Sequence, residues 1–224
     1  MQTPAEVKLI ETLAARLAPG GGEPPVLLSA GAGASTVIED ELARRGCRFV
    51  SDRVDLIDAI VARPYVRGVY RCSVEAMTPL PAAAYDLAFS NYLLEHVRDI
   101  EAAASEIHRV LKPGGWFVAS VPNPTAPEFL LARWTPLWFH RVLLRRPVGE
   151  KHYSFRSIPH LRAIFERAGF RVQAVWHYAS TEDYLQRAPG LRAVARAYDR
   201  ALMKAGWERV LGNVCLVFEK PSGA

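Results

Sequence analysis

The run Ser29-Ala30-Gly31-Ala32-Gly33-Ala34-Ser35 carries no side chain larger than a hydroxymethyl group, so a ligand could lie directly on its backbone. Where such a run joins a strand to a helix, its N–H groups face the helix N-terminus, a favourable seat for a polar ligand. Tight strand–helix packing calls for the same small residues, so the loop alone is not diagnostic. Asp52 follows 19 residues after Gly33, at the expected end of the second strand. A carboxylate there can accept hydrogen bonds from both hydroxyls of an adenosine ribose. The alternative is a solvated strand-end acid paired with Arg53. Loop and acid together point to an adenine nucleoside cofactor, and they leave open a dinucleotide or an adenosyl sulfonium.

Further along, Tyr85-Asp86-Leu87-Ala88-Phe89-Ser90-Asn91-Tyr92-Leu93-Leu94-Glu95-His96-Val97 precedes Glu106-Ile107-His108-Arg109-Val110-Leu111-Lys112-Pro113-Gly114-Gly115. His152-Tyr153-Ser154-Phe155 and Phe165-Glu166-Arg167-Ala168-Gly169-Phe170 come later. In this order the motifs resemble the class I S-adenosylmethionine-dependent methyltransferases, in particular their type 11-like branch, over residues 25–178. The combined order is far more specific than any one motif. The resemblance implies a doubly wound, Rossmann-like α/β fold: seven strands, mostly parallel, the last antiparallel, with helices on both faces. It also implies S-adenosylmethionine as cofactor.

The same resemblance implies roles for particular residues. Gly31, Ala32 and Gly33 would pass under the methionine part and the ribose, with Asp52 and its neighbour Arg53 at the ribose. Ser73, Val74 and Glu75 would bracket the adenine. Asn91 and Tyr92 would lie beside the methionine moiety and the transferred methyl, and Asp86 would be structural. Two positions depart from the family pattern: the first-strand acid is Ser29, and the third loop glycine is Ser35. Losing that acid removes an anionic partner of the cofactor's ammonium, a charged hydrogen bond of about 1.5–3 kcal/mol. The Ser35 hydroxyl could instead cap the helix that follows. These departures motivate a competing class, a non-catalytic protein of the same fold acting as an assembly or regulatory partner. A nicotinamide oxidoreductase ranks behind both.

Methyl transfer from a sulfonium is an in-line displacement, so alignment and exclusion of water are the main tasks. A base is needed where the nucleophile is a hydroxyl. His96, His152 and Tyr153 are the candidates, although His96 could simply pack against or cap the next helix. His140 reads as a surface residue. Residues 123–156 form the expected lid and acceptor-recognition segment, with Phe129, Trp134, Trp138, Phe139, Tyr153 and Phe155 among several arginines. Such a segment could stack on a ring and pair with an anion, pack on the sheet as a cap, or touch a membrane peripherally. The expected acceptor is a small or medium-sized metabolite, with anionic and lipid-linked molecules both open and oxygen the expected nucleophile.

The elements that must position these residues alternate along the chain. A helical stripe over residues 5–17 ends in the linker around Pro19-Gly20-Gly21-Gly22, which closes an N-terminal section of residues 1–22. Strands are expected at 26–30, 47–51, 68–74, 85–91, 116–121, 170–178 and 213–219. Helices are expected at 36–45, 56–62, 100–111, 158–168 and across 182–205, with Lys112-Pro113-Gly114-Gly115 as a turn. This is one domain: a cofactor-binding half at 25–122, the lid, and a C-terminal sheet half at 157–224.

Composition agrees with a globular chain of 224 residues, half of them hydrophobic. It excludes disorder, and no apolar run approaches the roughly 20 residues of a membrane span. Three scattered cysteines lie in no metal-ligand spacing, and the first residues lack a signal peptide's apolar core. Reduced thiols in the cytoplasm are therefore expected. Residues 1–120 hold 12 basic and 15 acidic side chains, so 16 of the 28 basic and 8 of the 23 acidic ones fall in 121–224. The basic C-terminal half suits an anionic ligand or merely solvated helix faces; no nucleic-acid motif accompanies it.

Overall fold

The computed structural model describes residues 2–17, 22–57, 61–127, 154–184 and 189–223. Seven strands form one sheet: β1 (Val26–Ala30), β2 (Val50–Asp55), β3 (Val66–Arg71), β4 (Tyr85–Asn91), β5 (Leu111–Pro122), β6 (Arg171–Tyr178) and β7 (Asn213–Glu219). Their order is β3-β2-β1-β4-β5-β7-β6. Neighbours from β3 to β5 run parallel, and β7 lies antiparallel between β5 and β6. This is the Rossmann-like sheet the motifs imply. Strand order reverses between β1 and β4, and ligands of such sheets bind outside the carboxyl ends of the strands at that point.

The helices are α1 (Pro4–Arg16), α2 (Val37–Arg44), α3 (Ile100–Val110), α4 (Ile158–Arg167), α5 (Thr181–Tyr184) and α6 (Pro189–Ala205). Local chemistry starts them. Thr3 and Glu6 make a capping box on α1, while Asp99 and Ser157 accept amide hydrogens at the heads of α3 and α4. Strand alternation then sorts the core into two layers. Ala88, Phe117, Ala119, Leu216 and Phe218 pack under α3 and α4, whereas Leu87, Phe89, Val118 and Val217 pack under α1 and α2. Period-two side chains on a doubly covered sheet require this division.

Four local expectations are corrected. β2 continues past residue 51 to Asp55, because Ser51, Asp52 and Arg53 are buried, the last two with charged partners, instead of ending the strand in solvent. Leu56 and Ile57 are not helical: the Ile57 amide donates to Asp55 Oδ1 at 3.1 Å, turning the chain out of a helical path, and both apolar side chains stay exposed. Lys112-Pro113-Gly114-Gly115 lies within β5 instead of forming a separate turn, where the register with β4 shifts between Tyr85 and Leu87. β3 covers residues 66–71, short of the expected 68–74. Most of the expected lid, residues 128–153, lies outside the described residues, and so do residues 58–60 of the expected helix.

Candidate active site

At the reversal point, β1 delivers the chain into a loop that only glycine adopts comfortably. Gly31 and Gly33 have φ of +67° and +52°. A side chain at Gly31 would collide with Leu93, which follows β4, whereas one at Gly33 would meet nothing within 4 Å. The loop is therefore closed against β4 and open at Gly33. Its amides are committed inward: those of Gly31 and Ala32 donate to the Val54 carbonyl at 2.9 and 3.0 Å. The Gly33 amide donates to Asp55 Oδ2 at 2.8 Å. Asp55, half-buried at the end of β2, thus stands directly beside the open glycine.

Asp52 does not stand there. It is buried one turn of the pleat back, on the α3 side of the sheet, and accepts hydrogen bonds from Arg67 at 3.1 and 2.6 Å and from the Tyr85 hydroxyl at 2.8 Å. The expected ribose acid is therefore a structural carboxylate, and Asp55 is the acid at this edge. The signal for Asp55 was the β-branched Val54 before it, hidden by ending the strand four residues early. Arg53 is also corrected: it is 1% exposed, pairs with the buried Glu39 of α2, and reaches the loop from behind. Its guanidinium donates to the carbonyls of Ala32, Gly33 and Ser35 at 3.0, 3.4 and 2.5 Å. Ser29 is buried on the same side, its hydroxyl beside the Glu39 carboxylate and helping to hold it ionised. Neither Ser29 nor Arg53 faces the open side of the loop.

Asn91 and Tyr92 end β4 across the reversal point. Tyr92 takes φ of +52°, an unusual conformation for an aromatic residue. α1 holds both residues: the Asn91 amide donates to Glu6 Oε1 at 2.8 Å, and the Thr3 and Tyr92 hydroxyls are 2.8 Å apart. Asn91 also accepts from the Ser120 hydroxyl of β5. The capping box of α1 is thus seated on the end of β4, a role the helical stripe alone did not disclose. Asp86 is structural as expected, accepting from the Val26 amide and from Lys112.

The adenine segment is only partly available. Val74 is in the core, and Glu75 Oε1 accepts the amides of Arg98 and Asp99 at 2.7 and 3.0 Å, tying this loop to the head of α3. Those two positions are corrected to structural ones. The Ser73 hydroxyl accepts the Glu75 amide. His96 lies on a short 3₁₀ turn, Leu94–His96, with its side chain 41% exposed. His152, Tyr153 and His140 lie outside the described residues; the described chain resumes at Ser154, whose hydroxyl donates to the Val97 carbonyl at 2.9 Å. Among the described residues, no three His, Cys, Asp or Glu side chains gather where they could hold a metal ion.

A family model described as a methyltransferase domain matches residues 3–175. A ubiquinone biosynthesis O-methyltransferase of Xanthomonas axonopodis pv. citri is 31% identical over 175 residues, 74% of this chain and 70% of that protein. The chain belongs to the S-adenosylmethionine-dependent methyltransferases. It is 32% identical over 146 residues to a probable S-adenosylmethionine-dependent methyltransferase of Mycolicibacterium smegmatis, a match covering 63% of this chain and about half, 51%, of that protein's length. Among solved structures, an S-adenosylmethionine-dependent methyltransferase of Mesorhizobium loti superposes with a TM-score of 0.60 at 19% identity, covering 94% of this chain and 97% of that one. The [4+2]-cyclase SpnF superposes with a TM-score of 0.62 at 19% identity, covering 96% and 82%. These two likenesses establish the fold.

S-adenosylmethionine is the cofactor of this family, and the methyltransferase's own residues fit it. The open side of Gly33 admits a ligand to the backbone, and Asp55 offers carboxylate lone pairs beside it. These residues would hold the cofactor, which when bound supplies a sulfonium-activated methyl group. Across the reversal point, bonds to Glu6, Ser120 and Thr3 hold Asn91 and Tyr92, which would form the opposite wall.

Proposed function

We propose that this methyltransferase carries the methyl group of S-adenosylmethionine to an oxygen of a small or medium-sized metabolite. The observation that carries the cofactor half of this reading is the engagement of the loop amides. Because Gly31, Ala32 and Gly33 all donate to β2, they are not offered to a phosphate. A dinucleotide needs such donors for its pyrophosphate, whereas an adenosyl sulfonium has no phosphate and needs only the small-residue floor and Asp55. Asp55 is the ribose acid in this reading.

Oxygen as acceptor is supported by the relatives named for O-methylation in ubiquinone biosynthesis. Another relative, named for C-methylation in ubiquinone and menaquinone biosynthesis, is 32% identical over 112 residues. Quinone-type phenols are therefore the first acceptors to try, with sugar, polyketide and lipid-linked hydroxyls next. The excess of basic residues in 121–224 favours acceptors that carry an anionic group. His152, Tyr153 and His96 are the candidate bases for a hydroxyl nucleophile.

The test pairs calorimetry using S-adenosylhomocysteine with transfer of labelled methyl from S-adenosylmethionine to a panel of phenols and other hydroxyl acceptors. Micromolar binding and label on a phenolic oxygen are expected, and His152→Ala should slow transfer while leaving S-adenosylhomocysteine affinity unchanged. Absence of binding at millimolar ligand would replace this reading with the non-catalytic partner suggested by Ser29 and Ser35.

A further inference from the structure

Behind the glycine loop lies an ion pair that the methyltransferase reading does not use. Arg53 of β2 and Glu39 of α2 are each 1% exposed and bonded to each other. A buried pair of this kind is costly to desolvate and is weak ground for stability, so its position calls for explanation. The Arg53 guanidinium turns its second nitrogen, Nη2, to the carbonyls of Ala32, Gly33 and Ser35. Glu39 takes the other nitrogen and has the Ser29 hydroxyl beside its carboxylate, helping to hold it ionised. Ser29 stands where the resemblance places the first-strand acid, and the parallel register sets it directly opposite Arg53. Ser35 stands where the third loop glycine is expected, and its carbonyl is the one closest to Arg53.

We propose that Glu39 and Arg53 are positioning residues for the cofactor: the carboxylate missing from β1 is supplied by α2, and it holds Arg53 as a clamp on the loop carbonyls. Amides of Gly31–Gly33 are fixed from the front by Val54 and Asp55 while the carbonyls of Ala32, Gly33 and Ser35 are fixed from behind, so the loop is set before any ligand arrives. Burial lifts the Glu39 carboxyl above the ordinary carboxylate range while Arg53 pulls it down, so each partner depends on the other. Gly33, one of the three residues whose carbonyls Arg53 holds, is also the open position of the loop, which links the clamp to the proposed ligand seat.

The proposal rests on the cofactor reading for its consequence but not for its geometry, and the test separates them. In the double variant Glu39→Met with Arg53→Met, apolar side chains replace the pair and the fold is expected to persist. S-adenosylhomocysteine should bind at least tenfold more weakly by calorimetry, and loop amides 31–35 should exchange hydrogen faster in the ligand-free protein while β4 and β5 are unchanged. Glu39→Gln should show the same losses, and adding Ser29→Asp to it should recover most of the affinity by returning a carboxylate to β1 opposite Arg53. Wild-type affinity and loop exchange in the double variant, or no recovery in a folded Ser29→Asp, Glu39→Gln protein, would overturn the clamp. Should the wild type itself not bind S-adenosylhomocysteine, the cofactor reading fails, and loop exchange alone decides the clamp.

Discussion

Two aspartates three residues apart divide the work of β2. Asp52 neutralises Arg67 and receives the Tyr85 hydroxyl inside the sheet, whereas Asp55 turns to the glycine loop. A charged hydrogen bond contributes about 1.5–3 kcal/mol, and a buried partner left unpaired costs about 1–3 kcal/mol. Asp52→Asn is therefore expected to lower stability by about 1–3 kcal/mol in urea titration with S-adenosylhomocysteine affinity changed less than threefold. Asp55→Asn should weaken that affinity at least tenfold with a smaller loss of stability. The reverse pattern would return Asp52 to the ribose. Charge patterning could not separate the two, because a buried polar strand and a solvated strand end look alike until the partners are known.

At the level of elements, α1 both completes the core and braces the end of β4. Its buried face, Ala5, Leu9, Ile10 and Leu13, lies on the sheet against β5, β7 and β6, and its first turn reaches the end of β4 through Glu6 and Thr3. Thr3 accordingly does two jobs, capping the helix through the Glu6 amide and bonding Tyr92. Thr3→Val removes both, so a loss of about 1 kcal/mol from the cap is expected. Release of Tyr92 should appear as faster hydrogen exchange across residues 91–93, not only across residues 4–7. Protection unchanged at 91–93 would mean that α1 merely covers the sheet. The stripe of α1 was legible in the sequence, but its seat was not, because an amphipathic period says that a face is buried and not against what.

For the whole molecule, stability should depend on acidity in two separate windows. Burial holds the imidazoles of His108 and His177 below their ordinary value of 6.5, the former with help from Lys220 and the latter opposed by Glu208. A histidine held low when folded takes up protons more readily once unfolded, so stability falls as pH drops below 6.5. Asp40 behaves oppositely in origin: bonds from Thr36, Tyr65 and Arg63 lower its carboxyl to about 2, so its contribution is complete above 3.8 and is lost as pH falls toward 2. Urea midpoints measured from pH 8 to pH 3 should decline first below 6.5 and again below 4, and His108→Phe with His177→Phe should flatten the first decline alone. A first decline unaltered in that variant would assign it to other groups. His108 also packs edge-on against Phe170 beside Gly169, so its imidazole reports on the seam between α3 and the start of β6.

From the chain alone, the alternation of elements, the seven-stranded Rossmann-like sheet and the methyltransferase family were determinable. These rest on local signals: apolar periodicity, caps such as Asp99, and a run of motifs in fixed order. β4 and β7 have the expected bounds because each is built around a buried apolar stretch, residues 87–89 and 214–218, with polar residues at the C-terminal end. Only tertiary structure decided which acid meets the loop, that Glu75 braces α3, that Arg53 and Glu39 lie behind Ser29, and that Thr3 and Glu6 reach β4. Each of those facts pairs residues from different elements, some nearly ninety positions apart. Polar side chains announce a need for partners, and only the folded arrangement supplies them, since burial makes the pairing obligatory without stating with whom.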